Sequence, residues 1–383
     1  MKKCLIPFAV LISLGHAVTA QSSRSWISDG VDINWSNPNN WDPSGVPDNN
    51  GRQGRFQNDD GGSNVVNVDG NFTVNRFSFS DTGSLTSGYT LNGSSTITVD
   101  VNNSSTFTQG IGYSAEQGSG GSSFTHVINA NVAANNTGTG FTGLISGTSG
   151  NVVGGGITFN GTLTATTRIN FGGVSGTTTT INGALINNGD LRMGTSGTVL
   201  IAGSGVSSGS GEIEMRDGTL DLARASALSV SEIRFRSADL LLNANAAVIG
   251  TANVRVQSDT STLGVFGVDN EFGTLRLDSA TLIVDFNNIG SGSIAFSDSS
   301  AMAWSSSGNF EIVNFDPATN SIRFGNSDSA LTASQLERMT MNGNSGLFLD
   351  SSGFVVIPEP QVAALFSAVL AFLAVFLMRR KNK

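Results

Sequence analysis

The sequence predicts an all-β chain: a parallel β-helix whose coils stack into one solenoid with a cap at each end. Three observations carry this. Short runs rich in Val, Ile, Leu, Phe and Thr alternate apolar and polar residues with period two, as half-buried strands do. From Asn64 onward they recur every roughly 18–25 residues with no helical pattern between them, which fits a parallel β-helix better than a propeller or a β/α fold. The gaps are filled with Gly, Ser, Thr and Asn. Glycine alone supplies 48 of 383 residues, which suits tight turns needing positive φ every few residues. A β-sandwich array is the alternative arrangement of such strands.

Residues 1–20 read as a secretory signal peptide. Lys2 and Lys3 form the charged n-region and residues 5–14 the apolar h-region. Val18 and Ala20 are small enough for signal peptidase, so cleavage is expected between Ala20 and Gln21 after passage through the Sec translocon. Cys4, the one cysteine, lies in this leader. The mature body therefore holds no disulfide.

Residues 21–63 form a Trp-rich N-terminal segment with Trp26, Trp35 and Trp41 followed by Gly45-Val46-Pro47-Asp48. These rings are expected to cover the open end of the stack, because an uncovered first coil would offer its edge to other chains. An aromatic platform for carbohydrate is the competing reading. Asn58-Asp59-Asp60-Gly61-Gly62 reads as a turn, with calcium binding through its oxygens as the competing reading.

Residues 64–321 form the expected solenoid. Its strand-like runs include 65–68, 72–74, 77–79, 96–99, 157–159, 198–201, 212–215, 219–222, 232–235, 239–242, 254–256, 274–277 and 282–286. A coil can bury its inward side chains only against the coils above and below, which suits small, branched, evenly spread apolar residues. Residues 322–357 are the expected C-terminal cap. Within it, Thr332-Ala333-Ser334-Gln335 has the spacing of a capping box, with Thr332 as N-cap and Gln335 reaching back. Leu336 and Met339 would give this short helix its apolar face. Asn342-Gly343 makes a turn before runs at 347–349 and 354–356.

The tail, residues 358–383, has three parts in order. Pro358-Glu359-Pro360 is biased toward extended backbone. Residues 362–378 carry no charge and, as a helix, would span roughly 25 Å, enough to cross a hydrocarbon core. Arg379, Arg380 and Lys381 then form a basic stop that keeps the C-terminus cytoplasmic. This order resembles the PEP-CTERM sorting signal of exported bacterial proteins. The resemblance implies that a membrane-embedded exosortase reads Pro358, Glu359 and Pro360. The precursor would then sit in the inner membrane, and the processed protein would reach the cell surface or extracellular matrix. The texture of residues 211–228 resembles autotransporter-type β-strand repeats. The Trp-rich opening and residues 322–354 are similar to the two ends of other PEP-CTERM passengers.

Without both ends, the body keeps 20 − 6 = 14 basic residues, all arginine, and 29 − 1 = 28 acidic ones. A net charge of 14 − 28 = −14 repels nucleic acid and anionic membranes. Catalytic chemistry has little to draw on. The body's one histidine, His126, lies in a strand-like run, and one histidine without cysteine cannot lead a zinc site. Glu212/Glu214 and Asp217/Asp221 alternate onto what should be a solvated strand face. Gly154-Gly155-Gly156 lacks the strand–glycine–helix context of a phosphate loop. The sequence therefore assigns no catalytic, cofactor-binding or metal residue. It points to a non-enzymatic surface or matrix protein, structural or adhesive and associated with extracellular polysaccharide. The alternative is a secreted polysaccharide-active β-helix lyase or hydrolase. Acids clustered with an arginine in one groove would favour the enzyme; scattered acids on a smooth Asn/Ser/Thr surface would favour the structural protein.

Overall fold

Alternating sequence becomes alternating burial. In Thr219–Leu222, Leu220 and Leu222 are buried while Thr219 and Asp221 face outward, and Thr198–Ile201 repeats the pattern. The computed structural model describes residues 22–358 apart from 29, 58–62, 82–86, 102–108, 116–123, 136–141, 148–154, 174, 195 and 225–226. The described chain is almost entirely β and organised in long parallel sheets.

Thr178 pairs with Thr198, Thr198 with Thr219, Thr219 with Asp239 and Asp239 with Thr262. The chain thus returns to one column after 20, 21, 20 and 23 residues. Each turn of the chain visits three columns. Thr178–Ile181 is followed by Leu185–Asn187 and Leu191–Met193 before the return at Thr198–Ile201. The strand-like runs named from sequence include much of the first and third columns but not Thr90–Asn92, Leu163–Ala165, Ile169–Phe171, Thr178–Ile181, Leu185–Asn187 or Leu191–Met193. Spacing departs from expectation toward both ends. Thr90 pairs with Val127, 37 residues on, and Phe310 with Met339, 29 on. Antiparallel strand pairs occur, among the described residues, only at the two ends: Ser22–Trp26 with Trp41–Asp42, and Phe348–Leu349 with Val355–Val356. This parallel pairing does not fit a β-sandwich array.

Inward side chains stack coil upon coil. One row runs Ile157, Thr179, Val199, Leu220, Leu240, Leu263, Val284, Ile312 and Met341. Every member is buried. Burial of each branched aliphatic side chain contributes about 1.5–3 kcal/mol, and it does so only while the neighbouring coil is in place. At the turn leaving the first column an amide ladder joins the coils. Asn182 Nδ2 donates to Asn160 Oδ1 at 3.0 Å, Asn160 to Asn129 at 2.8 Å, and Asn129 to Asn92 at 2.7 Å. Asparagine suits this place because its amide carries both a donor and an acceptor, so identical side chains can pair upward and downward.

One turn glycine is fixed by close approach. A Cβ on Gly183 would stand 1.9 Å from the Gly161 carbonyl oxygen of the preceding coil, whereas one on Gly194 would meet nothing within 4 Å. Gly183→Ala should therefore push two coils apart and destabilise by about 1–3 kcal/mol, as overpacking does. Gly194→Ala should stay within about 0.5 kcal/mol. Thermal denaturation of the two variants checks this; equal melting temperatures would contradict it.

Apolar side chains gather at each end of the described stack. Trp26, Trp35 and Trp41 are buried against one another and Phe56, with Trp41 5.1 Å from Trp26 and 5.0 Å from Trp35. Each indole N–H is satisfied within the cap: Trp26 by Ser63 O, Trp35 by Pro47 O and Trp41 by Trp35 O. Buried rings cannot form a carbohydrate platform. At the other end Ala333–Leu336 is helical with the expected capping box, Gln335 N donating to Thr332 and Gln335 Oε1 accepting from Thr332 N. Its buried face differs from expectation. Gln335, not Met339, anchors it, donating to Ser299 O and Met302 O at 2.9 Å, and Met339 opens the next strand. No helix among the described residues is long and apolar enough to cross a membrane.

Candidate functional site

Ala20, Gln21, Glu359, Pro360, Arg379, Arg380 and Lys381, to which the sequence assigns sorting and cleavage roles, and Asn58-Asp59-Asp60-Gly61-Gly62, expected as a turn, lie outside the described residues. Pro358 is the last described residue and is exposed, two positions past the strand Val355–Val356.

The residues weighed for catalysis are not brought together. His126 is fully buried beneath the first column, stacked 4.3 Å from Phe79 at 12°. Its Nδ1 accepts the Tyr89 N–H at 3.0 Å. Burial pushes its pKa down to about 3, which keeps the ring neutral at ordinary pH. Glu212 and Glu214 stand on the third column and Asp221 on the first, where Asp221 accepts from Asn243 at 2.7 Å. Asp217 lies in the turn between them, accepting from Gly218 N.

Two surfaces instead gather chemistry. The first is the outward face of the third column, where register aligns Asn170, Arg192, Glu214, Arg234, Arg255 and Arg276 on successive coils. Glu214 was expected to be solvated, yet arginines cover it: Arg216 at 2.9 Å, Arg236 at 3.2 Å and Arg192 at 3.4 Å. Arg234 bonds Glu212 at 2.8 Å and also Glu232. Asp278 receives Arg255 and Arg276, each at 2.8 Å, and Arg168 meets Asp190 at 3.0 Å. The Glu232 hydrogen bond holds Arg234 above the ordinary guanidinium range despite burial. Burial acts to raise the Asp278 pKa, but hydrogen bonds from Arg255 and Arg276 outweigh it and keep the carboxyl below its usual range.

The second surface is an open cleft of ≈ 610 Å³ over the last coils of the second column. Its floor is built from Asp269–Phe272, Gly292–Phe296 and Asn320–Phe324, whose inward Phe272, Phe296 and Phe324 stack at 5.6 and 5.1 Å. That aromatic row fixes the outward one. Asp269, Ser293 and Ser321 align, with Ser293 Oγ donating to Asp269 Oδ1 at 2.6 Å. Glu271 and Arg323 face each other across Ala295 at 3.7 Å. Phe354, 38% exposed, forms part of the lining. Carboxylate and hydroxyl acceptors, a guanidinium donor and an open ring together suit a polyhydroxylated ligand. Among the described residues no three His, Cys, Asp or Glu side chains converge as a metal site.

The chain matches no protein-family model, no curated protein and no solved structure.

Proposed function

We propose that this chain is an exported, non-enzymatic surface or matrix protein with a parallel β-helical body, sorted by a PEP-CTERM signal and associated with extracellular polysaccharide. The observation that carries the reading is where the fold closes. The hairpin Phe348–Leu349 with Val355–Val356 completes the cap, and Pro358 stands exposed just beyond it. A processing enzyme could therefore reach Pro358-Glu359-Pro360 without unfolding the body. Proline disfavours helical backbone and so suits a motif read in extended form, and the Glu359 carboxylate gives such an enzyme a charge to recognise. A plain anchor needs neither; it needs only apolar length and a basic flank.

Replacing Pro358, Glu359 and Pro360 together with alanine leaves residues 362–383 unchanged. In a host that has an exosortase, the substituted protein should accumulate in the inner membrane with Lys383 intact, while the parent loses its tail and moves outward. Equal retention of Lys383 and equal membrane residence in both proteins would contradict the sorting reading.

The cleft favours a second reading, a polysaccharide-active β-helix enzyme, because Asp269, Glu271 and Arg323 share one groove. Release of oligosaccharides from a polymer, abolished by Asp269→Asn or Glu271→Gln, would establish it.

A further inference from the structure

We infer that the arginine-bearing face of the third column binds an anionic polysaccharide laid along the stack. Choosing an extracellular polymer as occupant rests on the export reading; the cationic character of the face does not. Its motivation is a charge asymmetry that the whole-chain average hides. Seven of the body's 14 arginines stand on this face: Arg168, Arg192, Arg216, Arg234, Arg236, Arg255 and Arg276. Only five of its 28 acids accompany them, Asp190, Glu212, Glu214, Glu232 and Asp278. The face thus carries 7 − 5 = +2, while the rest of the body carries 7 − 23 = −16.

Exposure sharpens the asymmetry. The arginine side chains are 19–45% exposed and the acids 13–36%, so guanidinium groups are at least as open to solvent as the carboxylates they pair with in most of these pairs, Arg234 with Glu212 being the exception. A guanidinium has five N–H donors and each ion pair here occupies one or two of them, leaving others for a carboxylate fork. Arg234, Arg255 and Arg276 occupy successive coils, and neighbouring strands lie about 4.8 Å apart. A linear polyuronate offers one carboxylate per sugar, a repeat of the same order. Nucleic acid fits less well. Its binding as a single strand relies on aromatic rings for base stacking, and the outward row here holds only Asn, Arg and Glu. The acidic flanks also oppose a polymer of higher charge density.

The test measures retention of the full-length protein, in detergent micelles, on immobilised alginate, neutral dextran and double-stranded DNA at about physiological salt. The parent should be retained by alginate, less so as salt rises, and not by dextran. The triple variant R234Q/R255Q/R276Q should bind alginate at least about tenfold more weakly, and the matching triple lysine variant should fall between, having charge without the planar fork. R338Q, on the C-terminal cap, should bind as the parent does. Should the triple glutamine variant fail to fold, R168Q/R236Q, which alters two of the most exposed arginines, decides instead. Failure of the parent to bind alginate, equal retention on dextran, parent-like binding by whichever glutamine variant decides, or preference for DNA would each overturn the inference. Binding is read on purified protein and processing on localisation, so either can fail without the other.

Discussion

Acidification from pH 6.5 toward 3 should destabilise the protein by up to ~5 kcal/mol through His126 alone. The folded state holds this imidazole at a pKa of about 3 because burial excludes the charged form. The unfolded chain returns it to the ordinary value near 6.5. Well above pH 6.5 the ring is neutral in both states and contributes nothing to the pH dependence. Below it, the unfolded chain takes up a proton that the folded one cannot, so stability falls steadily as pH drops. By pH 4 the loss should be about 3 kcal/mol, a large share of the 5–15 kcal/mol that typically separates folded from unfolded. Asp278, held below its ordinary value of 3.8, adds a loss of its own only as pH falls toward that value, at the lower end of this window. His126→Asn keeps an acceptor for the Tyr89 N–H and removes the titration. Urea unfolding from pH 7 to 4 should then show a flatter slope in the variant, whatever its starting stability. Parallel slopes would contradict the buried neutral histidine.

Trp41→Ala should cost about 3–5 kcal/mol, the range for emptying a buried indole site. Trp41 touches Trp26, Trp35 and Phe56 and donates to Trp35 O at 2.9 Å, so its loss opens the centre of the N-terminal cap. The consequence should exceed a local cavity. The cap covers the first parallel strands, Ser22–Trp26 and Asn49–Gln57, and an opened cap would expose their edge to other chains. The variant should show a lower melting temperature together with association that grows with concentration. A lower melting temperature with no association would limit the cap's role to packing.

Much of this architecture is legible in the residues. Runs of four or more, such as Glu232–Phe235 and Asp239–Leu242, show their alternation directly, and their return every twenty-odd residues declares a stack. The tryptophans and the Thr332–Gln335 box are legible for the same local reason: each needs only its own neighbourhood. Strands such as Leu185–Asn187 and Leu191–Met193 are three residues long with two inward positions, too short for periodicity to stand out from a turn. The charged row was also written in the chain. Arg192, Glu214, Arg234, Arg255 and Arg276 follow one another by 22, 20, 21 and 21 residues. Such spacing has meaning only once the coil length is known, and Glu214 reads as solvated until three arginines from two neighbouring coils and its own turn close over it. The cleft is the least legible. Phe354 comes from the cap, and Asp269, Ser293 and Ser321 meet only through register.

Mass spectrometry of both ends of the mature protein, recovered from separated inner-membrane, surface and medium fractions, tests the central claim most directly. The account predicts a protein that begins at Gln21, lacks Arg379–Lys383, and is found at the surface or in the medium. A protein that begins at Met1, or one that keeps Lys383 and stays in the inner membrane of an exosortase-bearing host, would contradict it.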